Sequence, residues 1–170
     1  MYLRTIRNMA DFVKLTFGGA ASWNFSSPWK ASRGVSDLST AKKILIIDDD
    51  PDIVPLLTYG LKKRGYGVVG GSDGREALPL ASRHMPDLII IDVNLPGMNG
   101  DEAVRILKRD EKLKHIPVIL MSSMHEGLSE RSEASCAEAY INKPFGLDEL
   151  SGMVNKFCVP AGRAALAPAP

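Results

Sequence analysis

Cysteine is scarce in this chain of 170 residues: only Cys136 and Cys158 occur, and neither stands in a CxxC or CxxH spacing. That excludes a disulfide framework and a zinc site built on cysteine pairs, and the two read as reduced thiols. Long apolar runs are missing as well. None approaches the roughly 18 residues that a membrane-spanning helix needs, which argues against an integral membrane protein. An excess of one charge is also absent. The formal net charge is +1, so no general attraction draws the chain to nucleic acid or to a membrane, and any partner must be met at a local site. What is present is enough apolar material, 45% hydrophobic against 24% charged, to bury the core of one ordinary domain.

Three stretches differ in character. In residues 1–40, Arg4, Arg7, Lys14, Lys30 and Arg33 face only Asp11 and Asp37, and both tryptophans, Trp23 and Trp29, lie there. Leu3, Ile6, Ala10, Val13 and Phe17 recur at spacings of three and four, the pattern of a short basic amphipathic helix. It fits a membrane-surface or partner-docking helix, a targeting segment, or an extension without a core of its own. Residues 41–158 form the domain, and residues 159–170, VPAGRAALAPAP, read as a Pro/Ala-rich tail.

Within the domain, short β-branched runs alternate with helix-period segments, the signature of βα units and a parallel sheet. Strands are expected at Lys43 to Ile47, Gly67 to Gly70, Leu88 to Ile91, Val118 to Met121 and Ala139 to Ile141. Helical spacing is kept by Ile53, Leu56, Leu57, Gly60 and Leu61, and again by Leu147, Leu150, Met153, Val154 and Phe157. Pro79 interrupts a second helix unless it falls in the first turn. A fourth helix over residues 125–138, with Leu128 as its one large apolar anchor, is expected to pack loosely and move.

One feature of the pattern is costly. KILIIDDDPDI drives four apolar residues into Asp48, Asp49 and Asp50, and crowded carboxylates raise each other's pKa. In an open parallel sheet a ligand site lies beyond the carboxyl ends of the strands, and the polar groups that interrupt the apolar runs all fall on that edge. Asp48 and Asp49 follow the first strand, Asp92 ends the third, Ser122 ends the fourth, and Lys143 lies just past the fifth. Singly each has an ordinary explanation: a helix cap, a turn opener, a small strand-end residue, a solvated lysine. Four strand ends supplying carboxylates, a hydroxyl and an amine to one edge point to a common site.

These residues resemble the receiver domain of two-component response regulators over about residues 42–158. ILIIDDDPD is similar to the family's acidic pair after the first strand and PDLIIIDVNLPGMNG to its phosphoacceptor segment. PVILMSS is similar to its hydroxyl position, YINKPF to its Lys-Pro motif, and the intervals fit within a residue or so. The resemblance implies a flavodoxin-like α/β fold: a doubly wound five-stranded parallel sheet of order 2-1-3-4-5, flanked by five helices.

It also implies roles. Asp92 is the nucleophile that accepts a phosphoryl group from a histidine kinase, a histidine phosphotransfer protein or a small acyl phosphate. Asp48, Asp49, Asp92 and the backbone carbonyl of Asn94 hold Mg2+ with water completing the shell. Lys143 and Ser122 bind phosphoryl oxygens, small Ser123 leaves them room, and Tyr140 is the aromatic switch. The Lys143–Pro144 bond is expected to be cis. The crowding of carboxylates then has a compensation: the metal and Lys143 bring the three carboxylates near neutrality, and without the metal the cluster should repel itself. Asp50 reads as a turn or capping residue outside the metal shell.

The implied output is conformational: it acts on a downstream protein through the fourth helix, fifth strand and fifth helix, or relays phosphate. Turnover would be limited to the chain's own phosphoryl group, so the protein is not expected to be an enzyme in the usual sense. The short tail makes a stand-alone receiver in the cytoplasm the expectation, without direct nucleic-acid binding. A haloacid-dehalogenase-like phosphohydrolase is the alternative from another class, but its DxD motif has Asn94 in place of the second aspartate. A phosphorylation-independent interaction module is a further alternative. In relatives, the residues two past the nucleophile and two past the hydroxyl residue tune hydrolysis of the phosphoryl group; here they are Asn94 and Met124. Met124 orients no attacking water, so Met124→Glu is expected to shorten the phosphoryl lifetime. An unchanged lifetime in a time-course of decay would remove the basis for this assignment.

Overall fold

The computed structural model describes residues 41–123 and 136–158. The 1–40 extension, the 159–170 tail, Met124 and most of the helix expected over 125–138 lie outside them. Cys136 to Glu138, the end of that expected helix, are not helical.

Apolar runs such as ILII and LIII are hydrophobic without alternation because their strands are covered on both faces. β1 (Lys43–Ile47), β3 (Leu88–Asp92) and β4 (Val118–Ser123) are the buried centre of a five-stranded sheet of order β2-β1-β3-β4-β5, in which every neighbouring pair is parallel. β2 (Gly67–Gly71) and β5 (Ala139–Lys143) are the half-covered edges. Side chains alternate between two cores. Ile44, Ile46, Leu88, Ile90, Ile119 and Met121 face α1 (Ile53–Lys62) and α4 (Leu147–Phe157); Leu45, Ile47, Ile89, Ile91, Val118 and Leu120 face α2 (Ala77–His84) and α3 (Gly100–Arg109).

The strand order is the one the resemblance implies, and four helices lie among the described residues. Four strands run past their expected ends, β2 to Gly71, β3 to Asp92, β4 to Ser123 and β5 to Lys143. The reason is register: Gly71 pairs with Ile47, Asp92 with Met121, Ser122 with Asn142, and Ser123 with Lys143, so the ladder continues through glycine and through the polar residues. Lys143 is thus the last residue of β5 and not, as expected, a residue just past it. Pro79 is the third residue of α2, where its missing N–H would have had no helical partner anyway. α3, which hydrophobic spacing alone did not place, starts at Asn99, whose side chain accepts from the Asp101 N–H at 2.9 Å, and buries Ala103, Val104 and Leu107.

The end of α1 is tied to both ends of α4. Arg64, just after α1, reaches Asp148 at 2.5 Å, and the Gly60 carbonyl at 3.1 Å accepts from the same guanidinium. Tyr66 is 3% exposed, and its hydroxyl lies 2.7 Å from Asn155 Oδ1 and 2.8 Å from the Cys158 carbonyl oxygen. A hydroxyl with partners in a buried setting stabilises by about 1 kcal/mol. Tyr66→Phe is therefore expected to lower stability by about that amount, read as a drop of roughly 4 °C in Tm; an unchanged Tm would show that the end of α4 is held by packing alone.

Candidate functional site

β1 runs into Asp48, whose N–H donates to the Gly71 carbonyl at 3.2 Å and which is buried, 2% exposed. The acidic stretch then turns on its own carboxylates. Asp48 Oδ1 accepts the Asp50 N–H at 3.0 Å, and Asp50 Oδ1 accepts the Asp52 N–H at 2.9 Å, which leads the chain into α1. Asp50 is thus the turn residue that was expected, and Asp49 is exposed. On the neighbouring strand Asp92 is 5% exposed, and its Oδ2 accepts the Asn94 N–H at 2.7 Å. Lys143 arrives from the edge strand. Its ammonium lies 2.6 Å from Asp48 Oδ2 and 2.6 Å from Asp92 Oδ1, with 22% of the side chain exposed.

The structure therefore gathers Asp48, Asp92 and Lys143 in direct contact, from three strands. Ser122, 1% exposed, lies at the end of the intervening strand, but its Oγ donates to the Ser123 carbonyl at 3.2 Å. The Tyr140 hydroxyl is buried without a hydrogen-bond partner among the described residues, an unusual state for a phenol. The Lys143–Pro144 bond is cis, as expected. One contributor escaped sequence reasoning. A Cβ on Gly100 would run into the Asp92 carbonyl oxygen, so α3 can start against the segment that carries Asp92 only from a glycine. The NG pair in GMNG is a signal for that turn.

Electrostatics here follow burial first. Asp48 and Asp92 are both pushed above the ordinary carboxylate value, chiefly because burial penalises the charged form. The bond to Lys143 pulls against that rise. The expected mutual repulsion is present but is the smallest contribution: Asp92 acts on Asp48, and exposed Asp49 acts on Asp92. For Lys143 burial works to lower the pKa, but its bonds to the two carboxylates outweigh that and the value is raised. One cation shared by two buried carboxylates leaves the site net negative.

Among the described residues no three carboxylate, imidazole or thiol groups gather as a cation cage. The donor set nonetheless suits a hard cation that keeps most of its water, which asks for one or two carboxylates and no dense protein shell. Asp48 and Asp92 are buried oxygen donors whose charge Lys143 only half balances.

Residues 44–155, well over half of the chain, match the family described as response regulator receiver domain. The chain belongs to that family. It is 38% identical over 107 residues to the polar-differentiation response regulator DivK of Brucella ovis, covering 62% of this chain and 87% of DivK. It is 40% identical over 114 residues to the alkaline phosphatase synthesis transcriptional regulatory protein PhoP of Bacillus subtilis, covering 66% of this chain and spanning only 47% of PhoP. Among solved structures it is similar to the receiver domain of the sensor histidine kinase PA1611 from Pseudomonas aeruginosa, with TM-score 0.63, 26% identity and coverage of 68% of this chain and 96% of that one. That receiver was crystallised with a magnesium ion coordinated in its active-site cleft.

For this receiver the pH dependence has a definite sign. Raised carboxylate values mean that the folded state binds more protons just above the ordinary pKa of 3.8, so the contribution of Asp48 and Asp92 to stability falls as pH climbs through that window. The Lys143 contribution is in place below 10.5 and is lost only as pH rises through its raised value. Lys143→Met, which leaves two buried carboxylates without their cation, is expected to destabilise the metal-free protein at pH 7 by about 3 kcal/mol. The loss should shrink as pH falls toward 4 and the carboxylates take up protons. Urea unfolding at several pH values measures this, and a loss independent of pH would mean that Lys143 acts through packing.

Proposed function

We propose that this receiver is phosphorylated on Asp92 and that the change of charge there is its signal. The observation that carries the reading is the Lys143 ammonium at 2.6 Å from both Asp48 and Asp92. A lysine so placed already marks where an anionic oxygen on Asp92 would sit.

The chemistry asks little beyond position and charge. A carboxylate oxygen of Asp92 attacks phosphorus, a new O–P bond forms, and the bond from phosphorus to the donor breaks. With a phosphohistidine donor the leaving imidazole keeps the electron pair and takes up a proton; with an acyl phosphate a carboxylate leaves. The Asn94 N–H holds one Asp92 oxygen at 2.7 Å and so orients the nucleophile. Lys143 pairs with a phosphoryl oxygen as a point charge, and Ser122 exchanges the Ser123 carbonyl for another. Tyr140, whose hydroxyl has no hydrogen-bond partner among the described residues, gives up no such bond there by changing place when Ser122 moves.

Asp48, Asp49, Asp92 and the Asn94 carbonyl would hold Mg2+ in this reading. Bound there, the ion supplies the positive charge that Lys143 alone does not, and so lets an anionic donor approach two carboxylates. The proposed partners are a sensor histidine kinase or histidine phosphotransfer protein upstream, and a protein target downstream met through β5 and the flanking helices. Catalysis would be confined to the chain's own phosphoryl group, within the cytoplasm. No helix among the described residues is long and apolar enough to cross a membrane.

The test is incubation with acetyl phosphate, with and without Mg2+, followed by intact mass measurement of the wild type and Asp92→Asn. The expected result is a single metal-dependent, hydroxylamine-labile phosphoryl adduct that the variant lacks. No adduct under conditions that label a known receiver would move the function to phosphorylation-independent binding.

A further inference from the structure

The loop after β2 meets the loop after Asp92 at two glycines. A Cβ on Gly74 would run into the Met98 carbonyl oxygen. A Cβ on Gly97, whose φ is +73°, would lie 2.5 Å from Arg75 Nε, 2.8 Å from Cζ and 2.9 Å from Nη2. The positive φ already favours glycine there, and the guanidinium rests on the bare face that glycine leaves. Asp73 holds it in place. The Arg75 Nε lies 3.1 and 3.0 Å from the two Asp73 oxygens, Nη2 lies 2.5 Å from Oδ2, and the Arg75 N–H donates to Oδ1 at 2.8 Å.

That arrangement is more than a surface ion pair requires. Arg75 is 67% exposed, and exposed pairs add little to stability. Its planar fork, however, fixes the plane of the guanidinium, and that plane is laid against the loop that starts at Asn94. The same loop is closed at its other end by the Gly100 N–H on the Val93 carbonyl at 2.9 Å, and between them Met98 N–H donates to Pro96 at 2.8 Å. Asn94 supplies the N–H that orients Asp92.

We infer that Arg75, locked by Asp73 and seated on Gly97, is a positioning residue for Asp92, keeping the 94–98 loop in the conformation that holds the Asn94 amide on the carboxylate. The inference rests on the reading of Asp92 as phosphoacceptor, but one of its tests does not. In the metal-free, unphosphorylated protein, Arg75→Ala and Asp73→Asn should each speed amide hydrogen exchange at Asn94 and Met98 by roughly three- to tenfold. Phosphorylation by acetyl phosphate at saturating donor should slow by roughly three- to tenfold, below the roughly 10–100-fold range for residues that hydrogen-bond a metal-ligating side chain themselves. The double variant should be no worse than either single one, because the two residues form one device. Tm should not move, and Arg83→Ala, on an exposed arginine of α2, should leave exchange and rate unchanged. Arg75→Lys should fail to rescue, since an ammonium has no plane to lay on Gly97. Unchanged exchange with unchanged rate would overturn the inference. So would rescue by lysine with a loss confined to subsaturating donor, which would assign Arg75 to attracting the donor by charge. A wild type that takes up no phosphoryl group would defeat the Asp92 reading, and the exchange data would still judge the clamp.

Discussion

One ammonium shared between two buried carboxylates is the constraint on which this molecule turns. Asp48 and Asp92 stand at the ends of neighbouring strands, and Lys143 reaches them from the edge strand across the end of β4. Such a contact needs three strand ends held level, because an ion pair buried this far is favourable only when its geometry is good. The parallel register does the levelling. Asp92 pairs with Met121 while Ser123 pairs with Lys143, so a rigid ladder fixes how far each polar group stands from the apolar layer below it.

The opposite edge of the sheet carries compensations of its own. Lys108, at the end of α3, donates to the Ile116 carbonyl at 2.8 Å and to Glu138 at 2.6 Å, and the other oxygen of Glu138 accepts the Val118 N–H at 2.7 Å. Lys42 and the Lys43 N–H share Asp87 at 2.6 and 2.8 Å. Each places a carboxylate where a strand begins and pairs it fully. At the other edge Asp48 and Asp92 outnumber the cation they share. The imbalance between the two edges is what separates a structural end from a chemical one.

Much of this was legible in the sequence because the site breaks the pattern that builds the fold. Unbroken apolar runs announce strands covered on both faces, and the residues that end them, Asp48, Asp92, Ser122 and Lys143, are therefore conspicuous. Less was legible where the deciding contact is between residues far apart in sequence. Nothing local to Gly100 says that its missing Cβ makes room for the Asp92 carbonyl, nothing in GREAL says that Arg75 lies on Gly97, and Tyr66 does not announce Cys158. The strand ends were misjudged by one or two residues for a related reason. A polar residue ends an apolar run in the sequence, but in a ladder at β3, β4 and β5 it stays paired through its backbone while its side chain is free to turn to the site.

The cause of the raised carboxylate values also matters for how the site can work. Had repulsion among Asp48, Asp49 and Asp92 been the main cause, neutralising any one of them would relieve most of the penalty. Burial is the larger cause, and it acts on each carboxylate separately, so removing one charge still leaves the other to be held by Lys143. Lys143, at 2.6 Å from both, is the one ammonium the two carboxylates share, so what changes its contact with Asp92 bears on its contact with Asp48. Any event that changes the charge on Asp92 is felt at the ends of β1 and β5 together. A change of charge on Asp92 would therefore be a change in how three strand ends are tied, a local electrostatic event of the kind the proposed signal needs.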